Sequence, residues 1–322
     1  MAIGQDISKA AGILRNGGLV AFPTETVYGL GARADSGAAV RRIFEVKGRP
    51  TTHPLIVHIE NSQQLERWAT GVSAEAWTLA HAFWPGPLTL IFKRQPEVPL
   101  EVTGGLDTVA LRVPSHPIAL QLLREVGVGV AAPSANRFTE VSPTCSEHVE
   151  NDLGDRVDYI LDGGASVVGI ESTIVDVSGP TPVMLRPGGV SKEAIEATLG
   201  YAIVLLEKSE TGSPGQHPLH YAPHAEVKLL DLTDLRAEAL RQVALGRRVG
   251  ILARGFNAQE LPPAVLVHAV AGDPDDLARE LYAALRSLDA SGVDVILASL
   301  PEPTGIGLAI ADRLRKAAGP RS

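Results

Sequence analysis

A polar loop directly after a short apolar strand is the feature that most constrains how this chain can fold. Residues 19–22, Leu-Val-Ala-Phe, are typical of a buried strand. The strand should end at Pro23, which has no backbone N–H to donate. Residues 23–31 then read Pro-Thr-Glu-Thr-Val-Tyr-Gly-Leu-Gly, in which Gly29 and Gly31 permit unusual backbone conformations and close approach of a ligand. Polar groups at a strand end suit a ligand site in an open α/β sheet, although the segment alone is equally consistent with a polar hairpin turn.

Composition restricts the class of protein. The 322 residues suffice for two domains, each with its own core. A net charge of −8 argues against a protein held to nucleic acid by bulk positive charge, although it allows a local basic pocket. The single cysteine, Cys145, excludes a disulfide framework and a cysteine-built zinc site. The sequence has no apolar run long enough to span a bilayer and no signal-peptide pattern, so we expect a cytoplasmic protein without membrane association.

Alternation along two predicted strands places polar side chains together on one face. In residues 54–59 the apolar side chains of positions 55, 57 and 59 share a face, which leaves His58 on the other. A lone histidine in such a strand is usually a hydrogen-bonded core residue. In residues 108–113 the same rule groups Thr108 with Arg112. A buried Arg112 needs an anionic partner, either a structural Asp or Glu or the carboxylate of a ligand.

Two predicted helix ends carry groups that suit an anion. Residues 47–50 read Lys-Gly-Arg-Pro, and the two cations either answer the negative end of the helix dipole or form an anion clamp. Ser142-Pro143 is typical of a helix start, with serine as the N-cap, and the free amides of that start would also suit a phosphate.

Beyond residue 207 the composition changes. Residues 208–224 are rich in Ser, Gly, Pro and His and are predicted to be a linker between a domain of residues 1–207 and one of residues 225–322. In the second domain strands alternate with helices, which predicts a small parallel α/β sheet.

The candidate ligand residues are cations and neutral hydrogen-bonding groups, without a Ser-His-Asp order, an HExxH motif or a Walker A loop. Together they predict a pocket for a polyanion and a small polar molecule. They are Lys47, Arg49, Arg112 and Arg186, with Thr26, Thr108, Ser134, Asn136, Ser142 and Ser172.

Six segments, taken in order, resemble the threonylcarbamoyl-AMP synthases, the YrdC-like proteins, in their long two-domain form. The resemblance covers nearly the whole chain and lies in Pro23–Gly31, Lys47–Pro50, Pro54–Ile59, Ser134–Asn136, Glu171–Thr173 and His220–Pro223. It implies a twisted mixed α/β sheet around a large basic cavity, followed by a Rossmann-like parallel domain. It also implies a nucleotidyltransferase that makes threonylcarbamoyl-AMP and pyrophosphate from L-threonine, bicarbonate and ATP. A downstream transferase would use that product to form N6-threonylcarbamoyladenosine in tRNA, and weak contact with tRNA or double-stranded RNA is conceivable.

The resemblance also implies roles for individual residues. L-Threonine is expected at Thr26, His58, Arg112, the backbone of Ala132, and Ser172. ATP is expected at Arg49, His53, Thr108, Ser134, Ser142, Arg186 and Tyr221. Lys47, Arg49, Ser134 and Asn136 match the family's Lys-x-Arg and Ser-x-Asn signature and are the expected catalytic residues. No protein-bound metal is expected, because Mg²⁺ would be carried by the phosphates of ATP.

The sequence departs from the family at two places. His53 stands where the family usually has Asn; an imidazole can replace an amide as donor or acceptor, but the contact would then depend on pH. Residues 213–216, Ser-Pro-Gly-Gln, also differ from the commonest linker form. We further expect the linker to close over the nucleotide as a lid, with Tyr221 reaching ATP; a Tyr packed in the domain interface is the alternative.

Two other classes of function fit the sequence less well. A non-enzymatic RNA-binding translation or ribosome-maturation factor fits poorly with the negative charge and with aromatic residues at only 4%. A carbamoyl-transfer module of the hydrogenase-maturation type would need cysteine-rich zinc fingers, which a single cysteine excludes.

Overall fold

A computed structural model describes residues 3–206, 220–259 and 261–320. The described residues divide into two compact units, of which unit 1 comprises 3–138 and 142–206. Unit 2 comprises 139–141, 220–259 and 261–320. None of the helices that the structure describes has the length and apolar character needed to cross a membrane.

Unit 1 is built on a mixed sheet, which has twelve strands in the described residues. Its order is β1-β9-β2-β3-β8-β4-β7-β6-β10-β11-β12, with β5 paired to β6. The strands are β1 (Ile3–Gly4), β2 (Val20–Phe22), β3 (Gly29–Arg33), β4 (Ile56–His58), β5 (Ala69–Thr70), β6 (Leu88–Arg94), β7 (Thr108–Arg112), β8 (Val130–Ala131), β9 (Tyr159–Leu161), β10 (Thr173–Asp176), β11 (Val183–Arg186) and β12 (Val204–Leu205).

Eight α-helices accompany this sheet within the described residues. They are α1 (Ile7–Arg15), α2 (Gly37–Lys47), α3 (Leu65–Trp68), α4 (Ala74–Phe83), α5 (Leu100–Thr103), α6 (Pro117–Val126), α7 (Ser146–Leu153) and α8 (Lys192–Leu199). Their ends follow local chemistry. The side chain of Ser36 accepts the amide of Ala39 at the start of α2, and Gly48 ends that helix in the left-handed conformation, with φ 66°.

The predicted alternation along β4 and β7 is confirmed by the apolar clusters on the two faces of the sheet. Val57 and Leu111 belong to the main core of unit 1. Ile56 and Ala110 lie in a separate small cluster that also contains Ile174. His58 and Arg112 follow these residues at a spacing of two, so they belong to the face of the small cluster.

Unit 2 contains a sheet of four parallel strands in the order β13-β16-β14-β15, which confirms the predicted parallel α/β arrangement. Asp273 caps its longest helix in a capping box with Asp276. The elements are β13 (Glu226–Leu229), α9 (Leu235–Ala244), β14 (Val249–Arg254), β15 (Val265–Val270), α10 (Pro274–Ala290), β16 (Val295–Ala298) and α11 (Ile306–Ala317).

The predicted helix start at Ser142-Pro143 is wrong. Helix α7 begins at Ser146, with Cys145 at its N-cap position. The carbonyl of Pro143 instead accepts the amide of Tyr28 at 2.9 Å, which holds this segment against the loop after β2. A contact between residues more than 100 positions apart thus overrides a local helix signal. The predicted linker, residues 208–224, lies outside the described residues up to position 219.

Candidate active site

The polar loop after β2 is the turn of a β-hairpin. Strands β2 and β3 pair antiparallel, with Phe22 opposite Gly29. A Cβ atom on Gly31 would lie 2.8 Å from the side chain of Val130 and 2.9 Å from Phe22, so close packing requires glycine there. Neither hairpin glycine has a left-handed φ, contrary to the expected need for unusual backbone conformations. The hairpin interpretation is confirmed. The polar side chains of the turn, including Thr26, are buried, and the ligand-site interpretation stays a prediction.

Arg112 joins this turn to the sheet. Its Nη1 donates to Thr26 Oγ1 at 2.9 Å, and its Nε donates to the carbonyl of Gly86 at 3.3 Å. Its Nη2 lies 2.7 Å from Glu25 Oε1. The guanidinium at the end of β7 thus fixes the hairpin turn and the loop before β6 together.

Glu25 is the anionic partner that strand alternation required of Arg112. Both side chains are about 4% exposed. The pair is at hydrogen-bonding distance, but among the described residues neither Glu25 oxygen has a donor of suitable angle, so we treat the contact as an ion pair. The structural alternative for the partner of Arg112 is therefore present. A buried pair of this kind is costly to break, because the remaining charge stays in a low dielectric.

His58 lies opposite Arg112 in the register of β4 and β7. Burial, with the positive charge of Arg112 as a smaller cause, lowers the pKa of His58 from 6.5 to about 3. The imidazole is therefore neutral at physiological pH. A neutral ring beside a cation can accept or donate a hydrogen bond to a substrate without adding charge.

A second polar group crosses the neighbouring strands β6, β10 and β11. Thr89 Oγ1 lies 2.8 Å from Ser172 Oγ, and Arg186 Nη2 donates to the carbonyl of Ser172 at 2.9 Å. Ser142 Oγ donates to Glu171 Oε1 at 2.6 Å. Because β6 pairs with both β7 and β10, this group lies next to the Arg112 group in the sheet.

Lys47 organises the Ser-x-Asn segment. Its Nζ donates to the carbonyl of Ser134 at 2.6 Å and to that of Asn136, and its side chain is buried. The side chain of Asn136 in turn donates to the carbonyl of Arg137 at 2.7 Å. The lysine at the helix end therefore fixes a loop from a distant part of the chain, a role that neither the dipole nor the clamp interpretation contained.

Phe138 gathers two of the residues expected at ATP. Its ring lies 5.5 Å from that of His53, edge to face, and 5.9 Å from the guanidinium of Arg49. Arg49 also donates to the carbonyl of Pro54 at 3.2 Å, next to the start of β4. The amide of Phe138 donates to the carbonyl of Lys47 at 3.0 Å. These contacts place the Lys-x-Arg segment and His53 in one cluster.

One residue expected at threonine and one expected at ATP lie at opposite ends of β7. Arg112 is the last residue of this strand and Thr108 is the first, so they lie about 13 Å apart at the usual rise per residue. Ala132 follows β8, and its amide donates to the carbonyl of Ile56 at 2.9 Å, so only its carbonyl is left for a ligand. Strand geometry therefore separates an Arg112 end from a Thr108 end.

Tyr221 belongs to unit 2 and is buried there. Its ring stacks on that of Tyr282 at 5.6 Å, and the guanidinium of Arg313 lies 5.2 Å from the ring centre. The proposed contact of Tyr221 with ATP stays a prediction.

Three residues outside the predicted set contact candidate site residues. Glu25 and Glu171 are buried carboxylates within the recognised segments, and Thr89 is a buried hydroxyl on β6. Glu25 and Glu171 directly precede the predicted residues Thr26 and Ser172, and this adjacency is the sequence signal that could have identified them. Thr89 carries no local signal, because only the pairing of β6 with β10 reveals it. In the part of the chain that the structure describes, no group of three or more His, Cys, Asp or Glu is arranged to hold a metal ion.

Comparison with known proteins assigns the fold. The family model described as "Telomere recombination" matches residues 12–188, and that of the "Threonylcarbamoyl-AMP synthase, C-terminal domain" matches residues 190–319. A threonylcarbamoyl-AMP synthase of Pyrococcus abyssi is 45% identical, covering 98% of this chain and 94% of its own. One from Bacillus subtilis is 46% identical, covering 98% and 93%. The chain belongs to the threonylcarbamoyl-AMP synthase family.

A solved structure of a family member supports this assignment. The crystal structure of P. abyssi Sua5 complexed with L-threonine matches with a TM-score of 0.94 and 42% identity, covering 99% of this chain and 98% of that one. The YrdC-like fold and the two-domain form expected of the threonylcarbamoyl-AMP synthase family are thereby confirmed. The individual ligand contacts expected from the resemblance stay predictions.

The low pKa of His58 predicts acid sensitivity. Since the unfolded chain protonates His58 near pH 6.5 and the folded chain does so only near pH 3, the unfolded state binds more protons in between. The contribution of the neutral His58 to the free energy of unfolding is therefore complete above pH 6.5 and is lost as the pH falls below that value. Between pH 7 and pH 5, we expect the free energy of unfolding to fall by about 2 kcal/mol more in wild type than in His58→Asn. Urea unfolding at each pH measures it, and equal losses in both proteins would contradict it.

The Glu25–Arg112 pair predicts a large stability loss on neutralisation. Glu25→Gln should destabilise unit 1 by about 3 kcal/mol, because Arg112 remains charged and buried. The matched control is Glu60→Gln, which breaks the contact with the largely exposed Arg124 and should cost under about 1 kcal/mol. All three tryptophans (68, 77 and 84) lie in unit 1, so their fluorescence in urea reports its unfolding. Equal losses in the two variants would show that the buried pair contributes no special stability.

Proposed function

We propose that this chain is an L-threonylcarbamoyladenylate synthase. It would condense L-threonine with bicarbonate and ATP to give threonylcarbamoyl-AMP, pyrophosphate and water. The observation that carries the proposal is the 45–46% sequence identity, over nearly the full length, to two threonylcarbamoyl-AMP synthases. The threonine complex of the P. abyssi relative supports the amino-acid substrate.

The Arg112 end of the sheet suits a zwitterionic amino acid. We assign the threonine carboxylate to Arg112. Because the three guanidinium nitrogens already contact Thr26, Gly86 and Glu25, the carboxylate would share the guanidinium with Glu25. Glu25 supplies a negative charge that suits an ammonium group. The neutral His58, the carbonyl of Ala132 and Ser172 are then available to orient the substrate amine and hydroxyl.

ATP is assigned to the residues around Phe138 and to Ser142 and Arg186, which lie beside Glu171 and Ser172. Arg49, His53 and Thr108 would hold one part of the nucleotide, and Ser134, Ser142 and Arg186 the other, with Tyr221 completing the set. Lys47 and Asn136 would maintain the loop that carries Ser134, since Lys47 binds the carbonyls on both sides of Ala135. Mg²⁺ would enter with the phosphates, because protein sites usually bind it through substrate phosphates and few carboxylates.

The chemistry asks for positioning and charge neutralisation more than for a strong base. The ammonium of threonine and bicarbonate condense to a carbamate with loss of water and a proton. A carbamate oxygen then attacks the α-phosphorus of ATP, and the bond to the pyrophosphate oxygen breaks. Fixed cations and hydroxyls lower the barrier by holding reactants in line and by stabilising developing charge. This assigns the enzyme to the nucleotidyltransferases.

The mixed anhydride so formed hydrolyses readily, so a partner that consumes it is part of the proposal. A tRNA-modifying threonylcarbamoyl transferase would use it to make N6-threonylcarbamoyladenosine in the cytoplasm. Direct contact between this chain and tRNA or double-stranded RNA would be weak at most, given the net charge of −8.

The reaction makes a direct prediction. Pyrophosphate release from ATP should require L-threonine and bicarbonate together, and mass spectrometry should detect threonylcarbamoyl-AMP. Release of pyrophosphate at the same rate when either is omitted would refute the synthase assignment. Serine in place of threonine serves as the control for substrate specificity.

Reciprocal arginine variants test the two halves of the site. Arg112→Gln should raise the KM for threonine far more than that for ATP, because a charge-assisted contact of roughly 1.5–3 kcal/mol is lost. Arg186→Gln should do the reverse. Tryptophan fluorescence checks that both variants fold. If the two variants shift both KM values alike, the division of roles is wrong.

A further inference from the structure

Three residues between the two flanks of the proposed ATP site belong to unit 2. Thr139–Val141 are grouped with unit 2, although Phe138 before them and Ser142 after them are grouped with unit 1. The chain therefore leaves unit 1 after Phe138 and returns to it at Ser142. Whatever fixes these three residues also limits the positions of the residues on both sides, because the connection is covalent.

Two hydrogen bonds within unit 2 hold the segment. The amide of Ala222 donates to the carbonyl of Thr139 at 3.0 Å. Arg286 Nη2 donates to the carbonyl of Val141. The side chain of Val141 is 4% exposed, so that end of the segment is buried. Both carbonyls thus have donors from unit 2 rather than from their sequence neighbours.

The backbone is strained at the contact between Thr139 and Ala222, within unit 2. Among the described non-glycine residues only Thr139 and Tyr221 have positive φ angles, of 71° and 59°. A left-handed conformation is costly for a β-branched residue such as Thr139 and persists only where the surroundings impose it. The two strained residues lie at the same contact, since Ala222, the donor to Thr139, follows Tyr221. Strain concentrated in this way typically marks a functional position.

Helix α10 supplies the rigid support for this contact. It provides Arg286 and also Tyr282, whose ring stacks on that of Tyr221. Arg313, on α11, lies over the same ring and is fully buried. Residues on regular helices hold a loop more precisely than residues on other loops would.

We propose that Arg286 is a positioning residue for the nucleotide half of the active site. By fixing Val141 it would hold Ser142, which donates to Glu171, and Phe138, which contacts Arg49 and His53. Unit 2 would then act on ATP binding through the chain segment that it contains. The inference rests on the proposed function only for the identity of the nucleotide, because the hydrogen bond between Arg286 and Val141 does not depend on any ligand.

The test compares Arg286→Ala with Arg286→Lys and with a matched control on the same helix. The control is Arg279→Ala, since Arg279 is half-exposed and pairs only with Asp276 three residues earlier among its described ion pairs. Arg286→Ala should raise the KM for ATP about tenfold and change that for threonine less than twofold. Arg286→Lys, which keeps a charged donor, should recover part of the loss. Arg279→Ala should match wild type.

Amide hydrogen exchange supplies a readout that needs no activity. A peptide covering residues 136–146 should exchange faster in Arg286→Ala than in wild type or Arg279→Ala, without bound nucleotide. If Arg286→Ala shows faster exchange with an unchanged KM for ATP, the role of Arg286 in nucleotide binding is wrong. If exchange is unchanged in Arg286→Ala, the inference that Arg286 fixes residues 139–141 is wrong. If Arg286→Ala does not fold, Arg286→Lys with the same two measurements decides. Failure of wild type to make the adenylate would instead count against the proposed function and leave the exchange result interpretable.

Discussion

The site depends first on the ion pair between Arg112 and Glu25. One guanidinium, buried at the end of β7, reaches the side chains of Thr26 and Glu25 and the carbonyl of Gly86. An isolated buried charge of this kind would be strongly unfavourable. Glu25 compensates it, and both residues are thereby locked in one arrangement. The hairpin turn, β7 and the loop before β6 cannot move independently while the pair is intact.

Regular elements were predictable from the sequence because their signals are local. Alternation in residues 54–59 and 108–113 correctly placed His58 and Arg112 on one face, and α2 ends at Lys47, within the helix end predicted in residues 47–50. Asp273 shows why, since its side chain accepts amides only two and three residues away. Such contacts can be read from a short window of sequence.

Contacts between distant segments could not be predicted in this way. Ser142-Pro143 carries a good helix signal, yet Pro143 accepts the amide of Tyr28, and the helix begins at Ser146. Lys47 suggested a dipole or an anion clamp, but it binds two carbonyls nearly 90 residues away. The roles of Glu25 and Thr89 appear only when strands β7, β6 and β10 are paired. Residue types therefore selected the candidate residues, while the contacts among them could be seen only in the fold.

The four candidate cations, Lys47, Arg49, Arg112 and Arg186, each donate to a backbone carbonyl, and this has a functional consequence. Lys47 binds the carbonyls of Ser134 and Asn136, and Arg186 binds that of Ser172, so each cation is held by main chain. A main-chain acceptor in a packed loop or beside a strand moves less than a flexible acidic side chain would. The cations are thus oriented before any substrate arrives, and little conformational entropy is left to lose on binding. For a reaction that depends on placing charge near a phosphorus atom, such preorganisation lowers the barrier without a dedicated base.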